Sequence, residues 1–295
     1  MRTNRAADAV ARQKSKWGKV RPLTVIYAAH PTRKGDRPLE ADVYLPDGTP
    51  ATDLLVWMHS GGFRSGTRSH RNHARIAVEF ARHGYATAFI DYRLARPPAI
   101  LRLGTEARLA LLIDDARAAG EEMHETFFGA RPLGVVEDCC AFLNFAETQK
   151  TTWNLSGRYL VGGSSAGAIS ALNTLYLPQA LGLSRPPVAT VLAYSGGFAY
   201  PSYLGQTGAR ILAQACPSDE RVPVSSIRRY CAALTTPGSD RCVLIEHPHY
   251  AHGDLGITPT EPLRNAVARA VAFDRAADPR GMSVDIPGSK VSRSC

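Results

Sequence analysis

The pentapeptide GSSAG at residues 163–167 has the strongest potential for chemistry in the sequence, because it matches the pattern G-x-S-x-G. A strand-like run precedes it and a helical pattern follows, which is where such a serine sits on a sharp, strained turn. The residues two before and two after that serine must be small. The pattern therefore predicts Ser165 as a nucleophile, with an ordinary glycine-rich turn as the alternative. The spacing of the two glycines makes Ser164 the wrong serine.

A second segment, HSGGF at residues 59–63, directly follows the apolar run 54–58. Two adjacent glycines after a buried strand allow backbone N–H groups to face a developing oxyanion, since side chains there would block the approach. Taken alone, this segment is better explained as a simple strand-end turn. Together with the serine pattern it indicates acyl-transfer chemistry.

The elements that must position these segments alternate along the chain. Repeated alternation of strand and helix implies a parallel sheet with helices on both sides, preceded here by a hairpin. The strands are predicted at residues 23–29, 39–44, 54–58, 86–90, 158–161, 188–194, 210–215 and 242–246. The helices are predicted at residues 69–82, 105–127, 135–148, 166–177, 225–234 and 262–276.

These segments resemble the α/β-hydrolase superfamily, in particular the esterase and lipase group whose oxyanion loop reads His-Gly-Gly-Gly. The resemblance rests on residues 59–63, on DYRL at 91–94 and on 163–167, in the family's order, and spans about residues 23–273. It implies the α/β-hydrolase fold, with a mostly parallel central sheet flanked by helices.

The resemblance also implies which groups bind the oxyanion. The third and fourth loop positions correspond to Gly61 and Gly62, and the third donor is the N–H of Ala166. Ser60 departs from the family's glycine, but that position is not an expected donor. By the same resemblance His59 braces the loop, and Asp91 and Arg93 form a structural pair near it.

The family's catalytic acid and histidine follow the serine in that order, each after a strand. The segment after residues 210–215 is similar to the family's Asp-x-x-Val-Pro turn and places Asp219 as the acid, with a surface turn residue as the alternative. The segment after residues 242–246 contains three histidines, His247, His249 and His252. His252, followed by glycine, matches the family's histidine loop best and is predicted to be the general base.

Composition limits the remaining possibilities. Hydrophobic residues at 44% and charged residues at 21% of 295 residues are typical of a globular chain, which we interpret as a single domain over residues 1–295. The net charge is +9, and arginine greatly outnumbers lysine and is spread over the whole chain. This distribution favours a solvated surface over nucleic-acid binding, with attraction of anionic substrates as a weaker alternative. The apolar runs are too short for a membrane span.

Three segments and the cysteines complete the organisation. Residues 1–20 form a polar leader without the apolar stretch of a secretory signal, so a cytoplasmic location is expected. The six cysteines are then expected to be thiols, and without a CxxC pair no zinc site is predicted.

Residues 96–132 are an insertion that could form a lid over the site or pack outside the core. Residues 278–295 form a loose tail.

The combined prediction is a serine hydrolase that cleaves a small-molecule carboxylic ester through an acyl-enzyme, without metal or organic cofactor. Candidates for the pocket wall are Phe198, Tyr200 and Tyr203, with a plain loop after the strand as the alternative. An amidase, peptidase or acyltransferase would use the same residues. A binding protein without catalysis is a further alternative, against which the complete set of Ser165, Asp219 and His252 argues.

Overall fold

A computed structural model of the chain describes residues 22–32, 35–46, 50–94, 100–205, 207–234, 241–248 and 252–276. Its centre is an eight-stranded sheet in the order β1-β2-β4-β3-β5-β6-β7-β8. The first two strands pair antiparallel with each other and β2 pairs antiparallel with β4, whereas β3 to β8 are all parallel. The strands are β1 (Leu23–Thr32), β2 (Gly35–Tyr44), β3 (Thr52–Met58), β4 (Tyr85–Ile90), β5 (Leu155–Ser164), β6 (Val188–Tyr194), β7 (Arg210–Ala215) and β8 (Cys242–Glu246).

Helices cover the sheet, and the described residues contain six of them besides two short 3₁₀ turns. They are α1 (Arg71–Ala81), α2 (Leu103–Ala118), α3 (Ala130–Thr148), α4 (Ala166–Tyr176), α5 (Val224–Leu234) and α6 (Leu263–Ala276). None of the helices in the described ranges is long and apolar enough to span a membrane. The predicted order of strands and helices is confirmed.

Both faces of the central strands are buried, which is why their sequences read as continuous apolar runs. Along β3, Leu54 and Val56 pack into the apolar layer on one face of the sheet. Leu55 and Trp57 pack into the layer on the other face, as the period of two in a strand requires. The sheet is thus a rigid base for the loops at its carboxyl edge.

The insertion differs from its prediction. The helix expected over residues 105–127 ends at Ala118, because Gly120 takes a left-handed conformation with φ +65° and stops it. A short 3₁₀ turn, Glu125–Phe127, follows before α3 begins. Residues 96–99 of the insertion, like the predicted leader 1–20 and tail 278–295, lie outside the described residues.

The cysteines also differ in one respect. A disulfide joins Cys231 at the end of α5 to Cys242 at the start of β8, so the expectation of thiols is wrong for this pair. The fold brings the two Cα atoms within 5.6 Å, a spacing that suits a disulfide but that the sequence does not reveal. Cys139, Cys140 and Cys216 are buried thiols.

Candidate active site

The predicted nucleophile lies between β5 and α4 in the backbone conformation that the sequence pattern requires. Ser165 has φ +56° and ψ −121°, a strained conformation for a residue with a side chain. Its N–H donates to the Tyr194 carbonyl of the neighbouring strand at 2.8 Å. Its side chain does not cap α4, so the hydroxyl is directed to other partners.

The two glycines of the pentapeptide are required by the close approach of β3. A Cβ on Gly163 would lie 2.5 Å from the Met58 carbonyl oxygen, and a Cβ on Gly167 would lie 2.0 Å from the same atom. No side chain fits at either position without moving the end of β3. The spacing of the pattern thus follows from packing the strand-to-helix turn against the neighbouring strand.

The structure brings the three predicted side chains Ser165, His252 and Asp219 together. The Nε2 atom of His252 is 2.7 Å from Oγ of Ser165. Its Nδ1 atom is 2.7 Å from Oδ2 of Asp219. With Nδ1 protonated and donating to the carboxylate, Nε2 is free to accept the serine hydroxyl proton, and the network assigns this tautomer.

Asp219 is held as a carboxylate. Burial by itself would raise its pKa, but hydrogen bonds from His252 and from the backbone N–H groups of Val222 and Arg221 outweigh that effect and hold the pKa below its ordinary value. The two N–H groups donate to Oδ1 at 3.1 Å and 2.9 Å. The other oxygen, Oδ2, is thus left to the imidazole.

His247 does not compete for this position. His247 is buried at the end of β8, and its N–H donates to the Ala215 carbonyl at 3.2 Å. Burial lowers the pKa of its imidazole. His249 lies outside the described residues.

The loop after β3 turns sharply at its glycines. Gly61 has φ +125°, Gly62 has φ +60° and Phe63 has φ +61°. A Cβ on Gly61 would lie 2.0 Å from the Ser65 carbonyl oxygen, so only glycine fits there. The Gly61 carbonyl itself accepts from the N–H groups of Arg64 and Ser65 at 3.0 Å and 3.2 Å, which closes the turn.

His59 braces this loop, in agreement with its predicted role. Its Nδ1 lies 2.7 Å from the Ser60 carbonyl oxygen, and its ring stacks on Tyr92 with the ring centroids 4.1 Å apart. The Tyr92 hydroxyl donates to the His59 carbonyl at 2.8 Å. Burial lowers the pKa of the His59 imidazole, which favours its neutral form.

The expectation that Asp91 and Arg93 form a pair is wrong, because each has a different partner. Asp91 binds the Arg68 side chain, which also pairs with Glu40 and Asp42 of β2. Arg93 pairs with Glu137 and Asp138 of α3, and all three of these side chains are mostly buried. These ion pairs anchor the loops after β3 and β4. The sequence does not reveal them, because the paired residues are far apart along the chain.

The insertion reaches the same edge of the sheet. The ring of Phe127 lies 6.2 Å from that of Phe63, the residue after Gly62. Met123 is buried against Gly197, which follows β6: a Cβ on that glycine would lie 2.9 Å from the methionine sulfur. The segment therefore connects the glycine loop to the loop after β6.

Two of the three aromatic side chains predicted to line the pocket wall are buried. Phe198 and Tyr200 are buried in a cluster with Tyr176 and Tyr230, and the Tyr200 hydroxyl donates to the Phe128 carbonyl at 2.6 Å. Tyr203 is half-buried. The cluster thus supports the loop after β6 and ties it to the insertion.

Ser195 is a residue of the site that sequence reasoning missed. It has φ +55°, and its Oγ accepts from the N–H of Gly253, the residue after His252, at 3.4 Å. Three of the four described non-glycine residues with positive φ, Phe63, Ser165 and Ser195, lie at this edge of the sheet. Strain of this kind is concentrated at functional sites, and no local pattern in the sequence signals it for Ser195.

Comparison with known proteins agrees with this architecture. The family described as BD-FAE matches residues 41–119, the part of the chain from β2 to just past α2. No curated protein matches the chain.

Several solved structures share the fold. A Thermogutta terrifontis esterase 2 structure with bound propionate is 13% identical, covers 90% of this chain and 96% of its own, and has a TM-score of 0.62. The same enzyme phosphorylated by paraoxon is 13% identical, with coverage of 89% and 95% and a TM-score of 0.61. A Pyrobaculum calidifontis esterase is 17% identical, with coverage of 86% and 85% and a TM-score of 0.56.

The chain therefore has the α/β-hydrolase fold. The mostly parallel sheet with flanking helices is that of the esterases it matches, and the resemblance to α/β-hydrolase esterases predicted from the sequence is confirmed.

Proposed function

We propose that the protein is a serine hydrolase that cleaves carboxylic esters, with Ser165 as nucleophile, His252 as general base and Asp219 as the acid that orients it. The observation that carries the proposal is the relay of two 2.7 Å hydrogen bonds linking the three side chains. That relay, on a strained turn at the carboxyl edge of the sheet, is the arrangement that activates a serine.

The reaction proceeds in two displacements. The His252 imidazole takes the proton from the Ser165 hydroxyl as its oxygen attacks the ester carbonyl, and the imidazolium then protonates the departing alcohol. A water molecule attacks the resulting acyl-serine, giving its proton to the same imidazole, which returns it to the serine as the acid leaves. Asp219 stabilises the imidazolium throughout without being protonated.

The oxyanion of each tetrahedral intermediate is stabilised by the N–H groups of Gly61, Gly62 and Ala166. Support comes from the positive φ angles at the two glycines and from the start of α4 at Ala166, where the helix dipole favours negative charge. The serine at position 60 is compatible with this arrangement, because the hydrogen bonds that close the turn are accepted by the Gly61 carbonyl and not by Ser60.

Esters with small to medium acyl chains are the proposed substrates. The matched structures of Thermogutta terrifontis esterase 2 include one with bound propionate and one with bound butyrate, and that enzyme has the same fold. Amides, peptides or alcohol acceptors could enter the same acyl-enzyme chemistry, because the acyl-serine reacts with any nucleophile that reaches it.

The pH dependence of ester hydrolysis tests this assignment. We expect kcat/KM for p-nitrophenyl acetate and butyrate to fall with decreasing pH, because the general base of this mechanism must be unprotonated to accept the serine proton. The lowered pKa of Asp219 keeps its carboxylate ionised below its ordinary range. On the acid side, a plot of log kcat/KM against pH should therefore have a slope of one, which corresponds to a single proton. A two-proton slope, or a rate that is independent of pH, would contradict the roles given to these residues.

The insertion is proposed to shape the substrate pocket. Phe127→Ala should change the ratio of kcat/KM between p-nitrophenyl octanoate and acetate by about 10-fold or more, because a single methylene in a hydrophobic pocket is worth on the order of 1–3 kcal/mol. Reactivity with a small fluorophosphonate should change much less. The control is Leu111→Ala, an exposed residue on α2 of the same insertion. If both variants kept the parent's chain-length profile, the insertion would be only scaffold.

A further inference from the structure

A largely buried ion pair lies beside the loop that carries His252. Arg269 on α6 binds Glu261 through two parallel hydrogen bonds, from Nη1 to Oε1 at 2.6 Å and from Nη2 to Oε2 at 2.9 Å. Each side chain is only 10% exposed. A two-point pair of this kind is geometrically specific as well as strong.

Both members of the pair also bind the backbone after His252. Arg269 Nη2 donates to the Leu255 carbonyl at 3.3 Å, and Oε2 of Glu261 accepts from the Ile257 N–H at 2.6 Å. The pair is therefore built into the loop, and the loop's conformation depends on it.

Gln214 on β7 completes the arrangement. With its amide oriented to satisfy both neighbours, its nitrogen donates to the Leu255 carbonyl at 3.0 Å and its oxygen accepts from Arg269 Nε at 3.3 Å. Its backbone carbonyl accepts from the Ser195 N–H at 2.8 Å, and Ser195 in turn binds the Gly253 N–H. The loop is thus held at three alternate residues, 253, 255 and 257.

We propose that Arg269 and Glu261 are positioning residues for His252, fixing the loop that sets its imidazole between Ser165 and Asp219. The proposal rests on the esterase function proposed above. In this proposal Arg269 and Glu261 act through the loop and do not contact the substrate. Displacing a catalytic group by about 1 Å costs on the order of 100-fold in rate, so a pair that fixes the loop acts on kcat and not on substrate binding.

A second buried pair on the same helix provides a matched control. Asp274 of α6 binds Arg158 at 2.6 Å and 2.8 Å, at the start of β5 and therefore at the edge of the sheet opposite Ser165. Breaking either pair leaves an uncompensated buried charge and lowers the free energy of unfolding. Only the Arg269 pair is connected to the loop of His252.

The test compares Arg269→Met with Arg158→Met in the full chain at a temperature where both are folded by circular dichroism. We expect Arg269→Met to lower kcat for p-nitrophenyl butyrate about 10- to 100-fold with KM unchanged, and Arg158→Met to leave both constants unchanged. Arg269→Lys, which keeps the charge but not the fork, should recover part of the loss. Equal losses in the two methionine variants would overturn the proposal.

A measurement without substrate separates this inference from the proposed activity. The Nδ1 proton of His252, hydrogen-bonded to Asp219, should give a downfield NMR signal that disappears in His252→Ala. We expect it to be lost or broadened in Arg269→Met and in the isosteric Glu261→Gln, and retained in Arg158→Met. If it persisted unchanged in Glu261→Gln and in every folded Arg269 variant, the pair would be structural only. Absence of ester hydrolysis in the unmodified protein would instead contradict the proposed function.

Discussion

Ser165→Ala is expected to lower kcat for a p-nitrophenyl ester by roughly 10⁴- to 10⁶-fold, by analogy with the loss of the nucleophile in serine proteases. The protein should remain folded, since alanine also has a Cβ and introduces no new strain at φ +56°. The residual rate acceleration of the variant comes from substrate binding and from the oxyanion donors. Steady-state rates, together with an unchanged circular dichroism spectrum and melting temperature, measure this effect.

Ser164→Ala is the matched control for that variant. Ser164 is also buried, is adjacent in sequence and carries the same hydroxyl, but it ends β5 and does not occupy the turn. We expect it to retain most of the activity. Equal rates in the two variants would show that the turn does not present the nucleophile.

Asp219→Asn is expected to lower kcat about 10⁴-fold, the loss seen when the equivalent acid of a serine protease is replaced by its amide. The physical reason lies in the hydrogen bonds that Asp219 accepts. An asparagine oxygen would keep the N–H donors of Arg221 and Val222, which directs its NH₂ group at Nδ1 of His252. The imidazole must then carry its proton on Nε2 and cannot accept one from the serine.

The control for this variant is Glu220→Gln, which removes the neighbouring charge from an exposed position of the same turn. It should leave kcat unchanged, because Glu220 is not part of the relay. A loss of less than about 10-fold in Asp219→Asn, or a comparable loss in Glu220→Gln, would mean that Asp219 is only a turn residue.

Much of the fold could be predicted because its signals are local. The strands at 188–194, 210–215 and 242–246 were predicted with the bounds that the structure has, since each is an apolar run of strand length between clear breaks. The turn at Ser165 is marked by the local motif G-x-S-x-G. Its two glycines are required because the end of β3 leaves no room for a Cβ. The positions of the residues in the candidate site could therefore be anticipated.

The errors about the ion pairs and the cysteines have a common origin in long-range contacts. Asp91 pairs with Arg68 and Arg93 with residues on α3, because the sheet order brings distant segments together. The disulfide depends in the same way on where α5 ends and β8 begins. Nothing near Ser195 or Arg269 in the sequence indicates a link to His252.

Mapping the site of reaction with a fluorophosphonate by mass spectrometry tests whether Ser165 is the activated nucleophile. We expect one adduct per chain, on the peptide containing residues 163–167 and localised to Ser165. That adduct should be absent in Ser165→Ala and still form in Ser164→Ala. An adduct at any other residue, or none in folded protein, would contradict this assignment.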